Sequence, residues 1–83
     1  MGLDESIADV ELDARGLNCP MPLLKLKQQL NKMVPGAIVL VQATDSGSWR
    51  DFDAFVRQAG HTMMESSEMD GVYRYIIKKK TNP

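Results

Sequence analysis

The segment best equipped for chemistry is Gly16-Leu17-Asn18-Cys19-Pro20-Met21-Pro22, which holds the only cysteine of the chain. Two prolines one residue apart would ruin a helix interior, because each removes a donor and crowds the preceding turn. In a first turn neither harm applies, since those N–H groups have no intrahelical partner. The spacing therefore predicts a helix with Pro20 at its first position, Pro22 at its third and Cys19 as the N-cap. There the sulfur would sit at the positive end of the helix dipole, near the amides of Met21 and Leu23, and be biased toward thiolate. The prolines stiffen the turn and hold the sulfur outward. Arg15, Lys25 and Lys27 are the nearby candidate cations.

The surroundings narrow the reaction class. A single cysteine excludes a thioredoxin-like disulfide cycle within one chain. The one histidine, His61, is remote in sequence and no acid–His–Cys pattern accompanies it, which argues against a Cys–His hydrolase. One Cys and one His do not make a structural zinc site, and no glycine-rich phosphate loop occurs. A nucleophilic thiol with little machinery around it suits a group accepted from one protein and surrendered to another. The expectation is covalent carriage on Cys19 with no cofactor and no metal.

Positioning that thiol requires a scaffold, and the periodicity supplies one. From Ile7 to Ala14 the residues Ala8, Val10, Leu12 and Ala14 alternate with Asp9, Glu11 and Asp13, a strand with one wet face. Arg15 to Asn18 is a turn. Leu23, Leu26, Leu30 and Met33 form one stripe of a helix over Pro20–Met33, stopped by Pro35-Gly36. The apolar run Ala37–Val41 reads as a central strand flanked on both sides. A second helix starts near Ser48, where Ser48 and Asp51 have capping-box spacing; it buries Trp49, Phe52, Val56 and Ala59, with Phe55 beside them, and stops at Gly60. Strands at about 61–68 and 72–80 follow, joined by a turn at Asp70-Gly71. The order β-α-β-α-β-β predicts an α/β two-layer sandwich: two helices on one face of a mixed four-stranded sheet, the first two strands parallel.

With 83 residues the chain is read as one domain, residues 1–83, with an ordered core at about 7–80. Hydrophobic residues make up 43% and charged residues 25%, and the formal net charge is −1, so a phosphate backbone is a poor first partner and no direct nucleic-acid contact is expected. The acids in Met1–Glu5 and the short apolar runs argue against a secretory leader or a membrane span. Gly2 and Ser6 fit the loose acylation pattern, but nothing else supports an anchor, and a lone unpaired cysteine points to the cytoplasm.

The sequence resembles the TusA-like (SirA-like) sulfur carrier family from about Val10 to Lys79. The resemblance is carried by Asp13-Ala14-Arg15-Gly16-Leu17-Asn18-Cys19-Pro20-Met21-Pro22, Pro35-Gly36, Ala43-Thr44-Asp45, Arg50-Asp51, Gly60-His61, Asp70-Gly71 and Tyr73-Arg74-Tyr75. It implies the same β-α-β-α-β-β fold. It also implies that Cys19 takes sulfur as a persulfide from a cysteine desulfurase or a rhodanese-type donor and passes it to an acceptor protein, as a co-substrate rather than an independent catalyst. In different members the sulfur serves tRNA 2-thiouridine formation, molybdoenzyme maturation or sulfur oxidation. Met21 stands where the family often has an acid, and Ser46 and Asp53 where it often has proline, departures that bear on the partner more than on the carrier chemistry.

On this reading Cys19 carries the sulfur, Pro20, Pro22, Gly16, Arg15 and Met21 support it, and Trp49, Arg50 and Asp45 are candidate docking residues. Blander roles stand beside these. Arg15 is either a solvated loop cation or a partner of the thiolate; Trp49 is a core residue or a partly exposed one. Arg50 and Asp51 cap and solvate the second helix, His61 opens a strand with its hydrogen bond satisfied, and Lys78–Lys80 is a solubilising tail. Two rival functions remain: a regulatory or protein-binding module in which Cys19 only packs, and a thiol redox sensor needing an external resolving thiol.

Overall fold

In a computed structural model that describes residues 8–81, the alternating and helical patterns become six elements. They are β1 (Val10–Ala14), α1 (Met21–Lys32), β2 (Ile38–Ala43), α2 (Ser48–Ala59), β3 (Thr62–Met69) and β4 (Val72–Lys78). The expected start of the first strand at Ile7, and the Gly2 and Ser6 pattern, lie outside the described residues. The sheet order is β1-β2-β4-β3, with β1 and β2 parallel and the other two pairings antiparallel. This is the expected α/β sandwich, with β2 flanked on both sides.

One core joins the two layers. Leu26, Leu30 and Met33 of α1 and its C-cap meet Phe52 and Val56 of α2 over Val39, Val41, Tyr75 and Ile77 of the central strands. Burial of such side chains stabilises by about 1.5–3 kcal/mol each, the main favourable contribution in a chain this small. Leu40 and Ile76 pair across β2 and β4 and are also buried, although they fall out of phase with the residues under the helices. That explains why β2 reads as a continuous apolar run.

Three local expectations change. The second helix has Gly47 as its N-cap and no side-chain cap, so the Ser48–Asp51 capping box does not form. Ser48 instead lies buried with its hydroxyl 2.7 Å from the Tyr75 hydroxyl, pinning the start of α2 to β4. Trp49 is 45% exposed rather than core, its ring tilted against Tyr73 and Tyr75 at 6.0 and 6.2 Å. Lys78–Lys80 is not a solvated tail: Lys78 ends β4, the Lys79 ammonium donates to the Met33 carbonyl at 2.6 Å, and the Lys80 amide donates to His61 Nδ1 at 3.0 Å. His61 thus has the satisfied hydrogen bond expected of it.

The Asp70-Gly71 turn has φ of 53° and 83°, the left-handed pair that a two-residue hairpin needs and that Asp and Gly tolerate best. Gly60, also left-handed, closes α2 through its amide on the Val56 carbonyl.

Ser48→Ala leaves the Tyr75 hydroxyl buried without its partner, so the expected loss is about 1–3 kcal/mol in denaturant unfolding. The double variant Ser48→Ala/Tyr75→Phe is expected to lose less than the sum of the single changes. Strict additivity would show that the pair contributes nothing.

Candidate functional site

The parallel pairing of β1 and β2 places the loops that follow them side by side. The first loop carries Arg15 to Pro20 and the second carries Thr44 to Gly47, so the first turns of α1 and α2 adjoin. A cross-loop hydrogen bond, from the Gly16 amide to Thr44 Oγ1 at 2.8 Å, ties them together. Gly16 has φ of +81°, a conformation that side chains resist, and this turn delivers the chain to Cys19.

Cys19 is exposed and, as the single cysteine, forms no disulfide within the chain. It is not the N-cap: that position belongs to Pro20, with Met21 and Pro22 as the first two helical residues, one step later than the spacing predicted. The dipole argument weakens for a further reason. Proline removes two of the donors around this turn, and the Met21 amide donates to the Asn18 carbonyl at 2.8 Å. The motif therefore leaves fewer donors to hold an anion than an ordinary helix start offers.

The neighbouring charge is negative. The Cys19 thiol donates to Asp51 Oδ2 at a Sγ–O distance of 3.8 Å. Asp45 converges on the same place: a Cβ built at Gly47 would lie 3.1 Å from Asp45 Oδ2 and 3.9 Å from Asp51 Oδ2. Partial desolvation, these two carboxylates and the hydrogen bond to Asp51 all push the thiol pKa up, opposite to the expected thiolate bias. The nearest sequence cation does not offset them. Arg15 folds back onto Asp13, its Nε 2.9 Å from Oδ1 and its Nη2 3.1 Å from Oδ2. That pairing, chiefly the side-chain hydrogen bonds, holds the Asp13 carboxyl at about 2. Lys27 is also turned elsewhere, its ammonium 5.3 Å from the Phe55 ring centroid.

Alkylation of Cys19 is accordingly expected to reach half its maximal rate above the ordinary thiol midpoint of about 8.5. A midpoint below that value would show that the helix terminus outweighs the carboxylates.

The other candidate residues divide. Pro22 is buried within the first turn of α1, while Met21 and Leu24 are each 42% exposed beside the thiol loop. Trp49 and Arg50 share the first turn of α2 with Asp51, but they line a groove of about 250 Å³ with Asp53, Met63, Ser66 and Tyr75, on the side toward β3. Asp53 is itself paired with Arg57 one helical turn on. Leu24 and the thiol contact of Asp51 were missed by sequence reasoning. The readable signal for Asp51 was topological: in a parallel β-α-β unit, residues opening the helix after the second strand meet those opening the helix after the first.

With that geometry in place, comparison with known proteins is decisive. A family model described as Sulfurtransferase TusA matches residues 10–79. The chain belongs to the TusA family. Among TusA-family relatives, the sulfur carrier protein TusA of Allochromatium vinosum is 54% identical over 71 residues, covering 86% of this chain and 93% of that protein. A putative sulfur carrier protein of Neisseria meningitidis is 45% identical over 69 residues, covering 83% of this chain and 93% of its own length. The crystal structure of a SirA-like protein from Desulfitobacterium hafniense superposes with a TM-score of 0.76 at 26% identity, covering 86% of this chain and 97% of that one. The Cys-Pro-x-Pro run, Cys19 to Pro22, stands at the mouth of α1 within the matched residues. Among the described residues no group of three metal-ligating side chains converges, and no helix is long and apolar enough to cross a membrane.

Proposed function

We propose that the protein is a sulfur carrier that accepts sulfur as a persulfide on Cys19 and hands it to an acceptor protein. The observation that carries this reading is an exposed, unpaired thiol on the β1–α1 loop of a TusA-family chain, within Cys-Pro-x-Pro. The donor is a cysteine desulfurase or a rhodanese-type protein, and the sulfur stays covalently bound without a cofactor. Work in the cytoplasm, where thiols stay reduced, fits a lone cysteine. The receiving pathway is one of tRNA 2-thiolation, molybdoenzyme maturation or sulfur oxidation.

An exposed thiol alone would be oxidised or capped indiscriminately; a carrier must react mainly inside a complex. Two features support that behaviour. The carboxylates of Asp51 and Asp45 push the thiol pKa up, so the free protein exposes less standing thiolate to chance oxidation. The exposed Met21, Leu24 and Trp49 offer apolar contact area around the first turns of the helices, the kind of surface that docks a partner. Arg50 and Asp45 provide polar contacts at its margin.

The test is mass spectrometry of the intact protein after incubation with a cysteine desulfurase, cysteine and pyridoxal phosphate for the desulfurase. A gain of about 32 daltons, one sulfur atom, removable by a reducing thiol, is expected. No gain with a desulfurase, a rhodanese or a small persulfide would overturn the reading.

A further inference from the structure

We propose that Asp51 is the proton acceptor of the transfer step, taking the Cys19 proton as the sulfur attacks a persulfide donor and returning it to the donor's departing sulfur. The inference rests on the sulfur-carrier reading and adds a second working residue to it.

The geometry is specific. The hydrogen bond that the fold provides for the Cys19 thiol ends on Asp51 Oδ2, 3.8 Å away, from a residue 32 positions along the chain. Asp51 is half-buried in the first turn of α2, whose start is fixed to β4 by the buried Ser48–Tyr75 contact. Three of the groups that could activate the cysteine are engaged elsewhere: Arg15 binds Asp13, Lys27 lies over Phe55, and the Met21 amide binds Asn18. Asp45 is the second carboxylate bearing on the thiol, from the loop after β2.

A carboxylate beside a nucleophilic sulfur is a handicap if it only repels the thiolate. A more basic thiolate is more nucleophilic, but with a Brønsted coefficient of about 0.4–0.5 that gain recovers less than half of the population lost. The arrangement is productive when the carboxylate takes the proton as the S–S bond forms.

The step then balances. The Cys19 sulfur bonds to the outer sulfur of the donor persulfide while its proton passes to Asp51. The donor's S–S bond breaks, and its inner sulfur leaves with the electron pair and receives the proton from Asp51. A thiol and a persulfide become a persulfide and a thiol, with no net oxidation. The same steps in reverse discharge the sulfur to an acceptor thiol.

Glutathione persulfide serves as a donor that needs no docking, so the chemistry can be followed on the full chain. Three readouts are needed: the loading rate by intact mass, the thiolate titration by ultraviolet absorbance, and the melting temperature. Asp51→Asn is expected to titrate at lower pH than the wild type yet load roughly ten- to a hundred-fold more slowly at neutral pH. Asp51→Glu is expected to regain part of the rate. More thiolate with less transfer is a combination that neither a structural nor a purely electrostatic role produces. If Asp51→Asn fails to fold, the wild type decides: its loading rate is expected to fall less steeply than its thiolate fraction as pH drops from alkaline to neutral. An Asn variant that folds and loads as fast as or faster than the wild type overturns the inference, as does a wild-type rate that simply tracks the thiolate. A wild-type chain that takes no sulfur from any donor overturns the carrier reading itself, a distinguishable failure.

Discussion

Cys19→Ser is expected to take up no sulfur under conditions that load the wild type, and to unfold at the same denaturant concentration. The first half follows from chemistry: a serine hydroxyl is neither acidic nor soft enough to displace a thiolate from sulfur, and the chain has no second cysteine to substitute. The second half follows from placement. Cys19 is exposed, and its sulfur makes a single long hydrogen bond to Asp51. Substitutions at such positions stay within about 0.5 kcal/mol. Intact-mass spectra and denaturant melts measured together check both halves. A variant that loses its fold would show that the thiol packs, as the binding-module alternative requires. A variant that still gains sulfur would place the carrier atom elsewhere.

Phe52→Ala is expected to be the most damaging single change to the fold. The ring is fully buried, 4.6 Å from the ring of Tyr75, and it belongs to the cluster joining both helices to the sheet. Truncating a buried Phe costs about 3–5 kcal/mol through lost transfer energy and the cavity left behind. A domain of this length has about 4–12 kcal/mol of total stability. The change thus removes about a quarter of the margin at best and more than all of it at worst, and the denaturant midpoint falls accordingly. Phe52→Leu keeps most of the volume and is expected to cost about 1.5 kcal/mol or less. The effect also reaches the thiol, because Phe52 anchors the turn that carries Asp51. In any folded population of Phe52→Ala, Cys19 should titrate closer to an ordinary thiol. A loss below about 1 kcal/mol would mean that the cluster closes over the gap.

Much of the fold was legible because its signals are local. The alternation in Val10–Ala14, the stripe of Leu23, Leu26, Leu30 and Met33, and the punctuation by Pro35-Gly36, Gly60 and Asp70-Gly71 each depend on a few neighbouring residues. Backbone geometry alone then dictates the element. The same holds for the setting of Cys19: two prolines beside the single cysteine mark a helix start wherever that helix lies.

What the sequence by itself determined was the six elements, their sandwich arrangement and the place of the Cys19 thiol beside a helix start. The electrostatic character of that atom was decided by the tertiary structure. The reading from local pattern favoured a thiolate, because a helix start is positive. Folding moved the cap one residue on, committed the Met21 amide to Asn18, turned Arg15 back to Asp13 and brought in the Asp51 and Asp45 carboxylates. Ser48 shows the same division: its spacing suited a capping box, yet it bonds Tyr75 across the core. The physical reason is common to both. Periodicity is a property of adjacent residues, whereas the sign of a local field and the partner of a hydroxyl depend on groups that only a parallel β1–β2 pair and a shared core bring within a few ångströms.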